Sequence, residues 1–333
     1  MRRLLGFAFG ALASLRVAAY RRGWLSRARL AGPVVSVGNL GVGGSGKTPV
    51  VAHVAAILRD SGLPVAILSR GYGGSFRGEA LVVSDGSAVL ASAAEAGDEP
   101  VMLARALAGV VVAVGPRRDV VGRRVEALFG RRVHVLDDGF QHLRVERDLD
   151  LLCLDVRDLD DDPMPAGRLR ERPSAAARAD LVLLTRTEAA SEQELRALEC
   201  RLGIDRCFRV SRQVAGWTTL DGATAAPPSR AFLLAAIARP ERFEADVTGC
   251  GVAIVGRSFF RDHHRFRADE LASVAQRARA AGAQAIVTTA KDAVRLERTW
   301  AFDPPVFVMA IAAGIADEAR LRARLLSVAE RAA

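Results

Sequence analysis

The chain has 333 residues, enough for two domains of ordinary size. Half of the residues are apolar and 26% are charged, which excludes a disordered, collagen-like or disulfide-built protein. The net charge of +9 is unevenly distributed, because the first 30 residues hold seven arginines and no acidic residue, whereas the other 303 hold 40 basic and 38 acidic residues. A nearly neutral body lacks the broad positive surface of a nucleic-acid-binding domain, so we expect no nucleic-acid partner.

Lysine is almost absent from the sequence. Lys47 and Lys291 stand against 45 arginines, so these two positions are candidates for chemistry that arginine cannot perform. The four cysteines form no C-x-x-C pair, a pattern that favours reduced thiols in a cytosolic protein over disulfides or zinc.

Residues 1–30 predict a helix that lies on a membrane surface. The most apolar run, Leu4 to Leu15, is shorter than a membrane span and is followed by Arg16. At helical spacing the leucines share one face, and Gly6 and Gly10 lie on the opposite face. A cleaved signal peptide and a helix packed in the core are the alternatives. Apolar side chains flanked by arginine favour an interfacial helix on an anionic membrane.

Apolar runs alternate with helical patterns in residues 31–207 and predict the strands of a doubly wound, mostly parallel sheet, at 34–37, 63–68, 110–114, 133–136, 149–154 and 181–184. Turn residues and short extended runs in 208–231 predict a β-ribbon linker. Residues 232–333 predict a second, smaller α/β domain. The expected fold class is therefore α/β, and with the G-x-x-x-x-G-K-[ST] motif of residues 41–48 it resembles that of P-loop NTPases.

A phosphate-binding loop follows the first predicted strand and opens a helix. The segment 41–48 matches G-x-x-x-x-G-K-[ST] in full. In such a loop backbone N–H groups and the helix N-terminus hold phosphate oxygens, the lysine reaches the β- and γ-phosphates, and the last hydroxyl binds Mg²⁺. We therefore expect ATP and Mg²⁺, with nucleotide contacts from Gly41, Gly43, Gly44, Ser45, Gly46, Lys47 and Thr48.

Three acidic segments are candidates for the metal-binding and catalytic groups of phosphoryl transfer. Asp137 and Asp138 end an apolar strand, the position at which a carboxylate holds Mg²⁺ or its water, although a solvated Asp-Gly turn is the alternative. Asp98 precedes a helix and on its own is typical of a helix cap. His263 lies in an Asp-His-His cluster, which favours a proton relay over zinc because two adjacent histidines cannot both face one metal.

Taken together, the motifs resemble the tetraacyldisaccharide 4′-kinase family, the lipid A 4′-kinases. The matching segments occur in the family's order and are, with the phosphate loop, residues 36–40, 68–74, 97–105, 136–142, 165–171, 237–243, 262–264 and 288–294. The chain departs from the family pattern at Ser45, at the acidic run 160–162, at Arg168 and at Ala290, and the last of these leaves the role of the Lys291 segment open.

This resemblance implies an ATP-dependent kinase that phosphorylates the 4′-hydroxyl of a tetraacyl glucosamine disaccharide 1-phosphate at the cytoplasmic face of the bacterial inner membrane. By position, Asp98 is the general base, His263 supports it, and Asp138 is the third catalytic residue. Arg170 neutralises phosphate charge. The metal ligands it implies are Thr48, Asp137, Gln141 and Glu171. A contact between Asp98 and His263 has to join the two domains, which suggests domain closure. We expect a monomer.

Two other classes of protein share the phosphate loop. A GTPase or partitioning ATPase needs base recognition by Asn-Lys-x-Asp after a late strand, and residues 185–188 read Thr-Arg-Thr-Glu instead. A membrane adaptor that binds nucleotide only structurally has no need for Asp98, Glu171 and His263.

Overall fold

The computed structural model describes residues 1–43, 46–296, 300 and 302–331. The helices are α1 (Arg2–Arg21), α2 (Lys47–Asp60), α3 (Ala93–Ala96), α4 (Asp98–Ala106), α5 (Arg118–Phe129), α6 (Glu192–Leu202), α7 (Pro240–Gly249), α8 (Ala268–Ala280), α9 (Ala290–Ala293) and α10 (Glu318–Arg331). The strands are β1 (Val34–Asn39), β2 (Val65–Ser69), β3 (Leu81–Ser84), β4 (Val110–Val114), β5 (Val133–Asp137), β6 (Leu149–Asp155), β7 (Leu181–Thr185), β8 (Cys207–Thr219), β9 (Thr224–Ala225), β10 (Arg230–Ala235), β11 (Ala253–Phe259), β12 (Ala285–Thr289) and β13 (Val306–Ile315).

The strands form one mixed sheet in the order β11-β10-β12-β13-β8-β7-β6-β1-β5-β2-β4-β3, with β9 paired to β8. Pairing is parallel except between β8 and β13, β3 and β4, and β8 and β9. The predicted α/β class with a mostly parallel sheet is confirmed. Its central strands are buried from end to end, because helices cover both faces of a parallel sheet.

The first half of the sheet has a core on each face. On one face α2, α4 and α10 pack on alternate side chains of β1, β2 and β5, such as Val35, Ile67 and Val135. On the other face α5 covers Ala66 and Leu136. The second half repeats this arrangement, with α8 on one face and α7 on the other. Both halves are therefore doubly wound.

Strand β8 joins the two halves. Its first residues pair in parallel with β7, and the stretch from Val210 to Thr219 pairs antiparallel with β13. The predicted β-ribbon linker 208–231 thus contains a long strand that belongs to the sheet. Helix α10 comes from the predicted C-terminal domain but packs into the core of the first half through Leu321 and Leu325.

Helix α1 extends beyond the apolar run predicted from the sequence. Arg16 does not end it, since arginine is a good helix former, and the helix reaches Arg21. Among the described residues, α1 is the one helix long and apolar enough to cross a membrane by length and composition, although Arg16 within it keeps its uncharged run shorter than a span. A buried core helix or a signal sequence passes the same criterion.

The two faces of α1 have opposite environments, as the helical spacing predicts. Gly6 and Gly10 are buried against the segment 163–172, where a Cβ at Gly6 would lie 2.7 Å from the backbone oxygen of Pro163. Large apolar side chains point away from the protein, among them Leu4, Phe7, Leu12 and Leu15. Such a face is not that of a core helix, the alternative considered from the sequence.

Candidate active site

The phosphate loop connects the buried strand β1 to α2. Gly46 is the residue before the helix and has φ +76°, and Gly43 has φ +103°, conformations that glycine adopts without strain. Gly41 bridges to Leu169 at the mouth of the loop. Gly44 and Ser45 lie outside the described residues. Lys47 and Thr48 form the first turn of α2, where unpaired backbone N–H groups favour anions.

Lys47 is held between two oxygens at the ends of neighbouring strands. Its Nζ lies 2.7 Å from Oδ1 of Asn39 on β1 and 2.8 Å from Oδ1 of Asp138, which follows β5. Arg170 pairs with the other carboxylate oxygen of Asp138 at 2.7 Å. The structure thus brings three predicted site residues together, with Asp138 between the two cations.

Asp137 and Asp138 have opposite pKa shifts. Burial alone would raise the pKa of Asp138, but Lys47 and Arg170 outweigh it and hold this pKa at about 2. Burial raises the pKa of Asp137 to about 6, the charge of Glu99 adds to this effect, and a 2.7 Å hydrogen bond from the Ser69 hydroxyl opposes it. Asp138 is therefore a fixed anion at neutral pH, whereas Asp137 titrates near neutrality.

Gln141 and Glu171, predicted as metal ligands, contact each other beside this site. The Gln141 amide donates to Glu171 Oε1 at 3.0 Å, and Arg170 donates to Gln141 Oε1 at 3.3 Å. Both oxygens of the buried Glu171 also pair with Arg178, at 2.5 and 2.7 Å. Within the described residues, no three His, Cys, Asp or Glu side chains form a metal site by themselves.

This donor set suits magnesium, which commonly takes one or two carboxylates and completes its shell with phosphate oxygens and water. Thr48, Asp137 and Asp138 lie at the ends of elements that meet at the phosphate loop. Glu171 can bind a metal directly only after its ion pair with Arg178 has broken.

Asp98 and His263 are adjacent although 165 positions separate them in the chain. Asp98 is the first residue of α4 and follows Gly97. Gly97 has φ +92°, and a Cβ at this position would lie only 2.4 Å from the Tyr72 backbone oxygen. His263 Nδ1 lies 2.9 Å from Asp98 Oδ2. His263 itself has φ +60°, an uncommon conformation for a residue with a side chain. The contact predicted between the two halves is therefore made in the structure.

Arg295 also approaches Asp98 and was not singled out in the sequence. Its Nε lies 3.5 Å from Asp98 Oδ2, and its other nitrogens bind the backbone oxygens of His264 and Ala236. It also pairs with the fully buried Asp292. Asn39, Ser69 and Arg178 are further site residues to which the sequence analysis gave no role, although Asn39 and Ser69 lie in the matching segments 36–40 and 68–74.

Two departures from the family pattern compensate each other. Arg168 forms an ion pair at 3.0 Å with Asp161, a member of the acidic run, and lies 3.9 Å from Asp158. Burial and the neighbouring Asp155 raise the pKa of Asp158 to about 6. Asp158 and Arg168 line a small cleft at the mouth of the phosphate loop together with Gly41 and Gly43.

The chain is similar to known proteins of one family. A family model described as Tetraacyldisaccharide-1-P 4′-kinase matches residues 2–330. A tetraacyldisaccharide 4′-kinase of Anaeromyxobacter dehalogenans (strain 2CP-C) is 46% identical over 300 residues, which is 87% of this chain and 79% of that protein. One of Geobacter sulfurreducens is 39% identical over 324 residues, 95% of this chain and 90% of that protein.

Among solved structures, the chain is similar to LpxK from Aquifex aeolicus, crystallised in complex with ATP. The TM-score is 0.80 at 29% sequence identity, and the match covers 98% of this chain and 97% of that one. Because the family model spans nearly every residue and the relatives are similar over most of their length, the chain belongs to the tetraacyldisaccharide 4′-kinase family.

Proposed function

We propose that this protein is an ATP-dependent kinase that transfers the γ-phosphate of ATP to the 4′-hydroxyl of a tetraacyl glucosamine disaccharide 1-phosphate, a lipid A precursor. The observation that carries the proposal is the Asp98–His263 pair in a chain that also carries the full phosphate-loop motif at residues 41–48. Glu99 follows Asp98 in α4, and its charge reaches Asp137 strongly enough to raise that residue's pKa. The N-terminus of α4 therefore faces the strand ends around the loop.

Lys47 and Arg170 are the cations that receive the phosphates. Both pair with Asp138 in the structure and keep its pKa far below neutrality. On nucleotide binding they can exchange this carboxylate for phosphate oxygens without crossing a large distance. Phosphoryl transfer depends mainly on such positioning and charge neutralisation.

We assign magnesium to Thr48, Asp137 and Asp138, with Gln141 and Glu171 next to them. When bound, the ion neutralises charge on the β- and γ-phosphates. Arg178 pairs with both carboxylate oxygens of Glu171, and the Gln141 amide donates to one of them. Thr48 follows the phosphate loop in α2, Asp137 ends β5, and Gln141 contacts Glu171, which supports one shared site for these groups.

Asp98 accepts the proton of the acceptor hydroxyl. The 4′-oxygen attacks the γ-phosphorus, the bond from that phosphorus to the β,γ-bridging oxygen breaks, and ADP leaves. Both contacts that the described residues make to Asp98 fall on Oδ2, from His263 and Arg295, so Oδ1 is the oxygen that takes the proton. A carboxylate suffices as the base in a loose transition state.

The enzyme test compares ATP with GTP, with and without a tetraacyl disaccharide 1-phosphate acceptor. We expect ADP release that depends on the acceptor, together with a bisphosphorylated lipid product seen by mass spectrometry. Hydrolysis of GTP without lipid supports the GTPase reading and contradicts the kinase. Nucleotide binding without turnover under any condition points to the adaptor.

We also propose that α1 and residues 22–30 dock the protein on the cytoplasmic face of the inner membrane as a peripheral monomer. Support comes from the outward apolar face of α1 and from the seven arginines of residues 1–30. Trp24 is 72% exposed and lies under Arg22, an amphipathic pair suited to the headgroup layer.

Deletion of residues 1–25 tests this docking. We expect the full chain to co-sediment with vesicles that contain anionic lipid and the truncated chain to stay in the supernatant, because the deletion removes both the apolar face and most of the charge. Neutral phosphatidylcholine vesicles are the control for the charge contribution. Equal co-sedimentation of the two proteins contradicts the proposal.

A further inference from the structure

Lys291 contacts the candidate catalytic histidine. It lies on the short helix α9, directly after β12, and its Nζ is 3.2 Å from His263 Nε2. Asp262 Oδ1 lies 3.3 Å from the same ammonium and balances its charge. The Lys291 side chain is 21% exposed, so solvent reaches this cluster only in part.

The chemistry of the ammonium determines which nitrogen of His263 carries the proton. A lysine ammonium has three donors and no acceptor, so His263 Nε2 has to be the acceptor in this contact. The ring proton is then on Nδ1, where it is donated to Asp98 Oδ2 at 2.9 Å. Lys291, His263 and Asp98 therefore form one directed chain of hydrogen bonds that ends on the proposed base.

We propose that Lys291 is a positioning residue that holds His263 in the neutral Nδ1–H tautomer and in the orientation that fixes Asp98. This inference rests on the proposed kinase function and adds a role that the motif itself does not define.

The other groups around His263 fit this role. Asp262 Oδ2 lies 3.8 Å from Nε2, Arg295 Nε lies 3.5 Å from Asp98 Oδ2, and the Tyr72 ring packs edge-on with a centroid distance of 6.2 Å. Among the described groups, only the Lys291 ammonium donates to Nε2. The lysine side chain has a flexible aliphatic stem and one compact charged group, which suits a contact with a single ring nitrogen. The chain uses arginine almost everywhere else.

A double-mutant cycle tests the chain of contacts. We expect Lys291→Met to lower kcat by about 10- to 100-fold with little change in the KM for ATP, because misplacing a reacting group costs on this scale. His263→Ala lowers kcat as well. Lys291→Met in the His263→Ala background should cause no further loss, since the lysine acts through the histidine. Lys291→Arg keeps a donor but replaces the compact ammonium by a planar guanidinium, so it should recover only part of the activity.

The control is Arg265→Met, which removes an exposed cation from the same segment and should leave kcat unchanged. Multiplicative losses in the double variant, or a loss expressed in the KM for ATP, mean that Lys291 binds phosphate directly and overturn the proposal. If the wild type transfers no phosphate to the disaccharide, the proposed function fails instead, and the two failures are thereby distinguished.

A spectroscopic measurement on the folded variants does not depend on activity. In protein labelled with ¹⁵N-histidine, we expect wild-type His263 to show a protonated Nδ1 and an unprotonated Nε2. Asp98→Ala should retain this tautomer because Lys291 still donates to Nε2, whereas Asp98→Ala with Lys291→Met should lose it. Retention of the tautomer in the double variant overturns the proposal.

Discussion

At the scale of single residues, the site is organised by charges that neutralise one another. Asp138 stands between Lys47 and Arg170, and Glu171 is held by Arg178. Buried charges of this kind persist only when they are paired. On the proposed function, these ion pairs hold Lys47 and Arg170 where they can exchange Asp138 for a phosphate.

The assignment of Asp98 as base gives a direct prediction. Asp98→Asn should lower kcat by about 10²- to 10⁴-fold, because the amide retains the size of the carboxylate but cannot accept the hydroxyl proton. The KM for ATP should change little, since Lys47 and Arg170 hold the phosphates. Steady-state assays with the disaccharide acceptor measure both constants.

Asp60→Asn, the same change at an exposed position, provides the matched control. A kcat for Asp98→Asn within a few-fold of wild type at saturating acceptor removes the base assignment. Thermal unfolding of each variant separates loss of catalysis from loss of folded protein.

Residue identity was predictable where a motif requires one residue type. The phosphate loop requires Lys47, and the family resemblance indicated Asp98 and His263. Arg295 and Arg178 gave no signal, because an arginine among 45 acquires meaning only from the carboxylate that it meets in space. Asn39 likewise gained a role only through its 2.7 Å contact with Lys47.

At the scale of elements, one glutamate ties three segments together behind the site. Glu126 on α5 accepts hydrogen bonds at 2.8 Å from the backbone of Gly32, which precedes β1, and from the ring of His134 on β5. Burial opposes the charged form of Glu126, but these hydrogen bonds outweigh it and lower its pKa below the ordinary 4.5. The ends of β1 and β5 are thereby fixed to the helix that covers them.

The lowered pKa makes this contribution dependent on pH. A carboxyl whose pKa is lower in the folded state stabilises the protein above its unfolded pKa of about 4.5, and this stability is lost as pH falls through the folded value. Glu126→Gln should therefore reduce the free energy of unfolding by about 1–2 kcal/mol at pH 7 and by less near pH 4. Urea unfolding at the two pH values measures the difference.

Glu330→Gln removes an exposed charge in α10 and serves as the control, with little effect at either pH. A destabilisation by Glu126→Gln of equal size at pH 4 and pH 7 means that packing, not ionisation, makes the contribution.

The periodicity of the sequence predicted most helices and strands, because a buried parallel strand is a short apolar run whatever its neighbours are. Boundaries moved where tertiary contacts extend an element. β13 extends to Ile315 because β8 pairs with it from Phe307 to its last residue. Asp98 was placed in a loop but begins α4, since Gly97 turns the chain there.

At the scale of the whole molecule, one sheet carries both halves of the site. The phosphate loop, Asp137 and Asp138 follow strands of the first half, and His263 and Lys291 follow β11 and β12 of the second. The antiparallel pairing of β8 with β13 fixes one half to the other, and α10 returns to pack on the first. These contacts between the two halves hold His263 Nδ1 at 2.9 Å from Asp98 Oδ2.

The sequence alone determined the phosphate loop, the alternation of strands and helices, the outward face of α1 and the family, because each depends on residues close together in the chain or on fixed spacing. Tertiary structure decided the pairing of Lys47 with Asp138, the meeting of Asp98 with His263 and the position of Lys291. These contacts join residues far apart in sequence, and only the order of strands in the sheet, set by packing across the whole molecule, brings them within hydrogen-bonding distance.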